Sequence, residues 1–195
     1  MPLSRGGSGT QRSGGSRQRF GAKVEKRVRI LLNFHRHGIV EAPGSPERIV
    51  QNPMPMVEIT DQREEEVCVR EDCIPYLVSR PIPEGKRLKK AVITVVSKDQ
   101  GWSGYPADHG TYRNSWTWFE LSVGSPSEDS EQKWRAEVAR NLHAHRDFME
   151  HVVEISDKEL YNKAGGGDVL TVWALAKYTY WKNTVKSAAI QCVFE

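Results

Sequence analysis

Apolar and polar residues alternate over a series of short stretches, and the alternation has the period of a β-strand. Over 23–34, Val24, Val28, Ile30, Leu32 and Phe34 share one face, with Lys26 the exception. Lys23, Glu25, Arg27, Arg29 and Asn33 take the other, as in a half-buried antiparallel strand. Shorter strand-like pieces follow at 56–60, 67–70 and 74–78, with DQREEE (61–66) between the first two reading as a solvated turn. Residues 88–97 (LKKAVITVVS) are apolar on both faces, which places them in the interior of two packed sheets. Within 111–123, Trp116, Trp118, Glu120 and Ser122 oppose Thr117, Phe119, Leu121 and Val123. Burying the second face at ~25 cal/mol per Å² makes this strand a main stabiliser.

The stretch 134–155 is ambiguous. Trp134, Val138 and Leu142 suit a helix, whereas the β-branched run near 148–155 suits a strand; we read a strand at each end and a turn over 141–147. Residues 169–178 and the closing Ala188, Ile190, Cys192 and Phe194 alternate again, with Tyr178, Tyr180, Trp181 and Asn183 forming an aromatic turn between them. Breakers separate these pieces: four prolines over 39–56 mark a long irregular connection, and 81–85 (PIPEG) and 165–168 (GGGD) mark turns. Many short strands, long loops and little helix predict an all-β fold, an antiparallel β-sandwich of jelly-roll or galactose-binding-like form.

Charge divides the chain. Residues 1–29 carry eight Lys/Arg and one Glu, a net of +7, leaving 20 basic and 24 acidic residues beyond, a net of −4. Residues 1–22 are Gly, Ser and Arg with almost nothing to bury, so a disordered basic arm is expected, followed by a single domain over 23–195. The Arg5-Gly-Gly start faintly suggests an RNA-binding arm, and its Arg/Ser content a mitochondrial presequence, although its glycines spoil an amphipathic helix. The cluster Lys86, Arg87, Lys89 and Lys90 reads as a charged strand entrance.

Candidate chemistry concentrates in the loop between the two strongest strands. Asp99, Gln100, Trp102, Tyr105, His109, Tyr112, Arg113 and Trp116, joined by Trp181, are the residues of an aromatic-walled pocket with a few oriented hydrogen-bonders. These nine form the candidate ligand site, for a carbohydrate or a protein. An alternative is a hydrolase centred on Asp108 and His109, with Ser103 or Ser115 as nucleophile, but no GxSxG elbow or paired-carboxylate motif supports it. A third reading binds nucleic acid or an anionic surface through residues 1–22. Cys68, Cys73 and Cys192 have no zinc spacing, His35 and His37 have no ligand cluster beside them, and the glycines at 165–167 precede no GK[ST]. We therefore expect no cofactor, no metal and no catalytic set. With no secretory h-region and no long apolar run, the expectation is a soluble, cytoplasmic protein.

The segments DQGWS (99–103), HGTY (109–112), SWTWFE (115–120) and RNLHA (140–144) resemble a block that recurs in uncharacterised fungal proteins. The closing GDV (167–169), VWA (172–174), WKNTV (181–185) and AAI (188–190) are similar to that family's end. The likeness covers 88–195 and implies a β-sandwich with no established activity. One departure stands out: Thr179-Tyr180-Trp181 occupies a place where Pro-Gly-Trp is more usual. A weaker likeness, to galactose-binding-like jelly rolls, implies ligand contact through loop aromatics at one end of the sandwich, by analogy of fold alone.

Overall fold

A computed structural model describes the backbone of Arg27–Arg29 and residues 56–127 and 131–195. The arm expected over 1–22, His35, His37 and the proline-rich connection up to residue 55 lie outside the described residues. Of the strand expected over 23–34, Arg27–Arg29 (β1) is described, paired antiparallel with Val57–Arg63 (β2).

The remaining strands are β3 (Val67–Arg70), β4 (Asp72–Val78), β5 (Leu88–Lys98), β6 (Thr117–Gly124), β7 (Trp134–Arg140), β8 (Met149–Glu154), β9 (Val169–Ala176) and β10 (Lys182–Phe194). They form two antiparallel sheets packed face to face. One runs β1-β2-β10-β5-β8, with β3 also on β10; the other runs β4-β9-β6-β7. From β3 onward successive strands cross between the sheets, except the β6–β7 pair, and this interleaved order is that of a jelly roll. All four connections β3–β4, β5–β6, β7–β8 and β9–β10 therefore emerge at the same end of the sandwich.

The strand expected over 88–97 forms as β5, and the face of Phe119, Leu121 and Val123 in β6 is buried as expected. Ala91, Ile93 and Val95 from β5 meet Phe119, Leu121 and Val123 from β6, with Val172 and Ala174 of β9 and Ile190 of β10, all buried. Each of the larger side chains among them contributes about 2 kcal/mol by leaving water. Val92, Thr94 and Val96 lie half-buried on the outer face of β5, which explains why that strand looks apolar on both sides. The ambiguous 134–155 region resolves into β7 and β8 with a turn between, as read. Lys89 and Lys90 pair with Glu195 and Glu154 at the entrance of β5.

Four expectations need correction. Residues 61–66 are not one solvated turn: β2 runs on to Arg63, and Asp61 is 2% exposed. Its carboxylate accepts from Arg80 Nε at 2.8 Å and from the Arg80 amide at 3.0 Å, a partner 19 residues away that local polarity cannot reveal. The second strand of the central pair begins only at Thr117, because 111–116 form turns. A short helix, α1 (Lys158–Lys163), was not anticipated; Asp157 caps it by accepting from the Glu159 amide at 2.8 Å, and buried Leu160 anchors it. Asn183 belongs to β10, not to the aromatic turn, and is fully buried.

That asparagine is half of a polar staple between the sheets. Asn141 Oδ1 accepts from Ser97 Oγ at 2.7 Å, while its Nδ2 donates to Thr117 Oγ1 and to Asn183 Oδ1, both at 3.0 Å. Asn183 Nδ2 donates onward to the carbonyls of Trp118 and Leu175. Ser97 and Asn183 sit in one sheet, and Thr117 and Leu175 in the other. Every group in the network is satisfied, so its cost of burial is offset. Asn141→Ala strands the Asn183 carbonyl and the hydroxyls of Ser97 and Thr117, and is expected to lower unfolding free energy by about 3 kcal/mol. Urea titration measures this; a loss below about 1 kcal/mol means the network carries little of the stability.

His151 of β8 has a buried Nε2 with no partner, and burial holds its pKa below the usual histidine value. A lowered folded pKa means the unfolded chain binds the extra proton, so stability is present above the unfolded value near 6.5 and is lost as pH falls below it. The melting temperature of the wild type is expected to fall more between pH 7 and pH 5.5 than that of His151→Leu. Equal falls in the two proteins remove His151 from the acid response.

Candidate functional site

Three of the four connections at the shared end, β5–β6, β7–β8 and β9–β10, are tied together through bonds to backbone groups. Asp99, at the exit of β5, is 2% exposed; its carboxylate accepts from the Gly101 amide at 2.8 Å and the Ala144 amide at 2.7 Å. It thus ties the β5–β6 loop to the β7–β8 loop. Burial raises its pKa, and the two amides oppose that rise. Gln100 bridges to the third loop: its Oε1 accepts from the Lys182 amide at 3.3 Å and its Nε2 donates to the Trp102 carbonyl at 2.9 Å. Gly101 is required here, since its φ is +79° and a Cβ would meet Arg146 Cγ at 2.9 Å.

Ser103 is the hub of the loop. His143, fully buried, has its Nδ1 2.9 Å from the Arg113 carbonyl, so Nδ1 carries the hydrogen and donates. In the neutral ring Nε2 then accepts from the Ser103 hydroxyl, at 2.5 Å. Ser103 Oγ in turn accepts from the Tyr105 amide at 3.0 Å and faces His109 Nε2 at 3.1 Å. Trp181 stands edge-on to His143, with ring centroids 5.1 Å apart. The hydroxyl is therefore engaged on all sides, and the cluster locks the shape of the loop.

These constraints sort the nine residues expected from the sequence. Asp99 and Gln100 face inward and hold the loops. Trp116 and Trp181 are half-buried props, Trp116 lying edge-on to Tyr178 at 4.8 Å. His109 and Arg113 are exposed, with Arg113 pairing with Asp108 at 3.2 Å. Trp102, Tyr105 and Tyr112 project into solvent. Two further rings, Tyr178 and Tyr180, join them; Tyr180 lies 6.5 Å from Trp102. The period-two spacing of Tyr178 and Tyr180 was the available signal, read as a turn without a ligand role. Among the described residues every exposed aromatic side chain, Trp102, Tyr105, Tyr112, Tyr178 and Tyr180, lies at this end.

The backbone there is strained as well. Glu71, Asn114, Ala144, Tyr178 and Tyr180 have φ between +46° and +76°, and all belong to these connections. Such a conformation costs a non-glycine residue roughly 1 kcal/mol, and strain of this kind collects at functional sites. Glu71, Tyr178 and Tyr180 line one open depression of about 900 Å³ floored by Trp118. A second depression, of about 810 Å³, runs between the edge strands β7 and β8 beside Tyr112 and His151.

Of the residues of the hydrolase alternative, His109 Nε2 faces Ser103 Oγ at 3.1 Å, and Asp108 bonds elsewhere. Asp108 accepts from Asn114 Nδ2 at 2.6 Å and pairs with Arg113, while Ser115 Oγ is buried without a partner. Among the described residues no group of three His, Cys, Asp or Glu side chains is placed to hold a metal, and no helix is long and apolar enough to cross a membrane. No protein-family model matches the chain, and no curated protein matches it.

Tyr180 shows that exposure is maintained against local stability. Its φ is +76° and it is 72% exposed. Tyr180→Gly is expected to raise unfolding free energy by about 0.5–1 kcal/mol, read from the urea midpoint. A destabilised variant would show that the ring packs on Trp102 more than its backbone strains.

Proposed function

We propose that this protein is a binding module, and that the aromatic end of its β-sandwich takes a carbohydrate or protein ligand. The observation that supports the reading is the gathering of all exposed aromatic rings of the described residues on strained, mutually bonded loops. Tyrosine and tryptophan offer a large apolar face with a polar edge, and few torsions to immobilise, so they suit recognition. The β-sandwich beneath acts as a rigid platform and the loops as the contact surface.

Trp102 and Tyr105 are 55% and 65% exposed, so replacing them with alanine is expected to change stability by no more than about 0.5 kcal/mol. In a glycan array and a pull-down, Trp102→Ala and Tyr105→Ala together are expected to weaken the captured ligand at least tenfold, about 1.4 kcal/mol. A folded double variant that binds as the wild type does would falsify the reading.

A further inference from the structure

The aromatic end also carries positive charge that the protein leaves unneutralised. Arg63, Arg80, Lys89, Lys90, Lys133, Arg135, Arg140 and Lys163 each pair with a carboxylate. By contrast Arg70, Lys98, Arg146, Lys177, Lys182 and Lys186 make no ion pair among the described residues, nor do Lys86, Arg87 and Lys158 at the opposite end. The first six lie on or beside the loops of the aromatic end. Of the carboxylates that share it, Asp99 is taken by two backbone amides and Asp108 by Arg113, while Glu71, Asp72, Asp147 and Glu150 pair with none of the six.

Two of these placements set like charges side by side. Arg70 stands directly opposite Lys182 in the β3–β10 ladder, and like charges at such positions destabilise a sheet. Lys98, opposite Thr184 on the other side of β10, has its Nζ 4.4 Å from the centre of the Phe148 ring. Lys186 Nζ approaches the same ring at 5.8 Å, so two ammonium groups share one aromatic partner. Lys177 Nζ lies 5.1 Å from the Tyr178 ring. Lys182 follows Tyr180 by two residues, which makes the cationic strip continuous with the exposed rings.

We propose that the ligand of this end is an anionic polysaccharide. Its sugar rings stack on Trp102 and Tyr180, and its carboxylate or sulfate groups lie along Arg70, Lys182, Lys98 and Lys186. This rests on the binding reading above and names its ligand class. The neighbouring rings are tilted, Trp102 to Tyr180 by 50° and Trp116 to Tyr178 by 81°, and so offer separate faces to successive units of a polymer. Four of the five exposed rings are tyrosines, whose hydroxyls can bond sugar hydroxyls.

The test uses the full chain with dextran sulfate and polygalacturonate as acidic probes, dextran as the neutral one, and an oligothymidylate as the nucleic acid. The proposal expects both acidic polymers to bind more tightly than dextran, with affinity falling as salt rises. Lys182→Ala with Lys186→Ala is expected to weaken that binding at least tenfold, and Trp102→Ala to weaken it as well. If the lysine double variant binds the acidic polymers like the wild type, the basic N-terminal segment accounts for capture and the proposal is overturned. Dextran bound as tightly as dextran sulfate also overturns it, while leaving the binding module standing. Oligothymidylate bound more tightly than either acidic polymer replaces the polysaccharide with nucleic acid. Failure to bind any polysaccharide overturns the inference too, and the pull-down with Trp102→Ala and Tyr105→Ala then decides separately whether the end binds a protein.

Discussion

The buried hydrogen-bond network of Ser97, Asn141, Thr117 and Asn183 is the constraint on which the loop end depends. An apolar contact between two sheets permits sliding, because burial energy is not directional. A pair of asparagines with every donor and acceptor engaged permits one alignment only. Asn141 begins the β7–β8 loop, Ser97 lies two residues before Asp99, and Asn183 lies two residues after Trp181. Fixing those three positions fixes where three of the four end loops start. The bonds of Asp99, Gln100 and Ser103 then join loops whose roots are already in register.

On that foundation the protein can hold residues in conformations they would not choose. Tyr178 and Tyr180 keep left-handed backbones although their rings are 50% and 72% exposed, so local preference does not explain them. The sandwich core supplies the stability that such positions draw down, at roughly 1 kcal/mol apiece. Electrostatics repeats the pattern. Basic residues elsewhere in the described domain commonly meet carboxylates, whereas Arg70 and Lys182 face each other. Strain, exposure and charge are independent terms, and all three are unfavourable at the same end.

Much of the fold was legible in the residues alone. Alternation identified β5, β6, β9 and β10, because each has one face that must leave water and a strand's side-chain period is two. The turn between β7 and β8 was legible from the change in side-chain type across an ambiguous stretch. The loop rich in aromatics was recognisable too, since Trp102, Tyr105 and Tyr112 sit among Gly, Pro and Asp where no strand continues. What remained hidden depends on partners far apart in the chain. Asp61 looked like a turn residue until Arg80 reached it, and Asn183 looked like part of a turn until Asn141 did.

The division has one physical cause. Hydrophobic periodicity is local, so sequence by itself determined an all-β chain, the strands of its core and the loop that would carry exposed aromatics. Which of those aromatics face water was decided by tertiary structure. Trp116 and Trp181 became props because Tyr178 and His143 lie against them, while Tyr178 and Tyr180 were turned outward by positive φ. The meeting of four loops at one end follows from the crossing order of the strands. Such an order is set by long-range pairing, and no stretch of neighbouring residues encodes it.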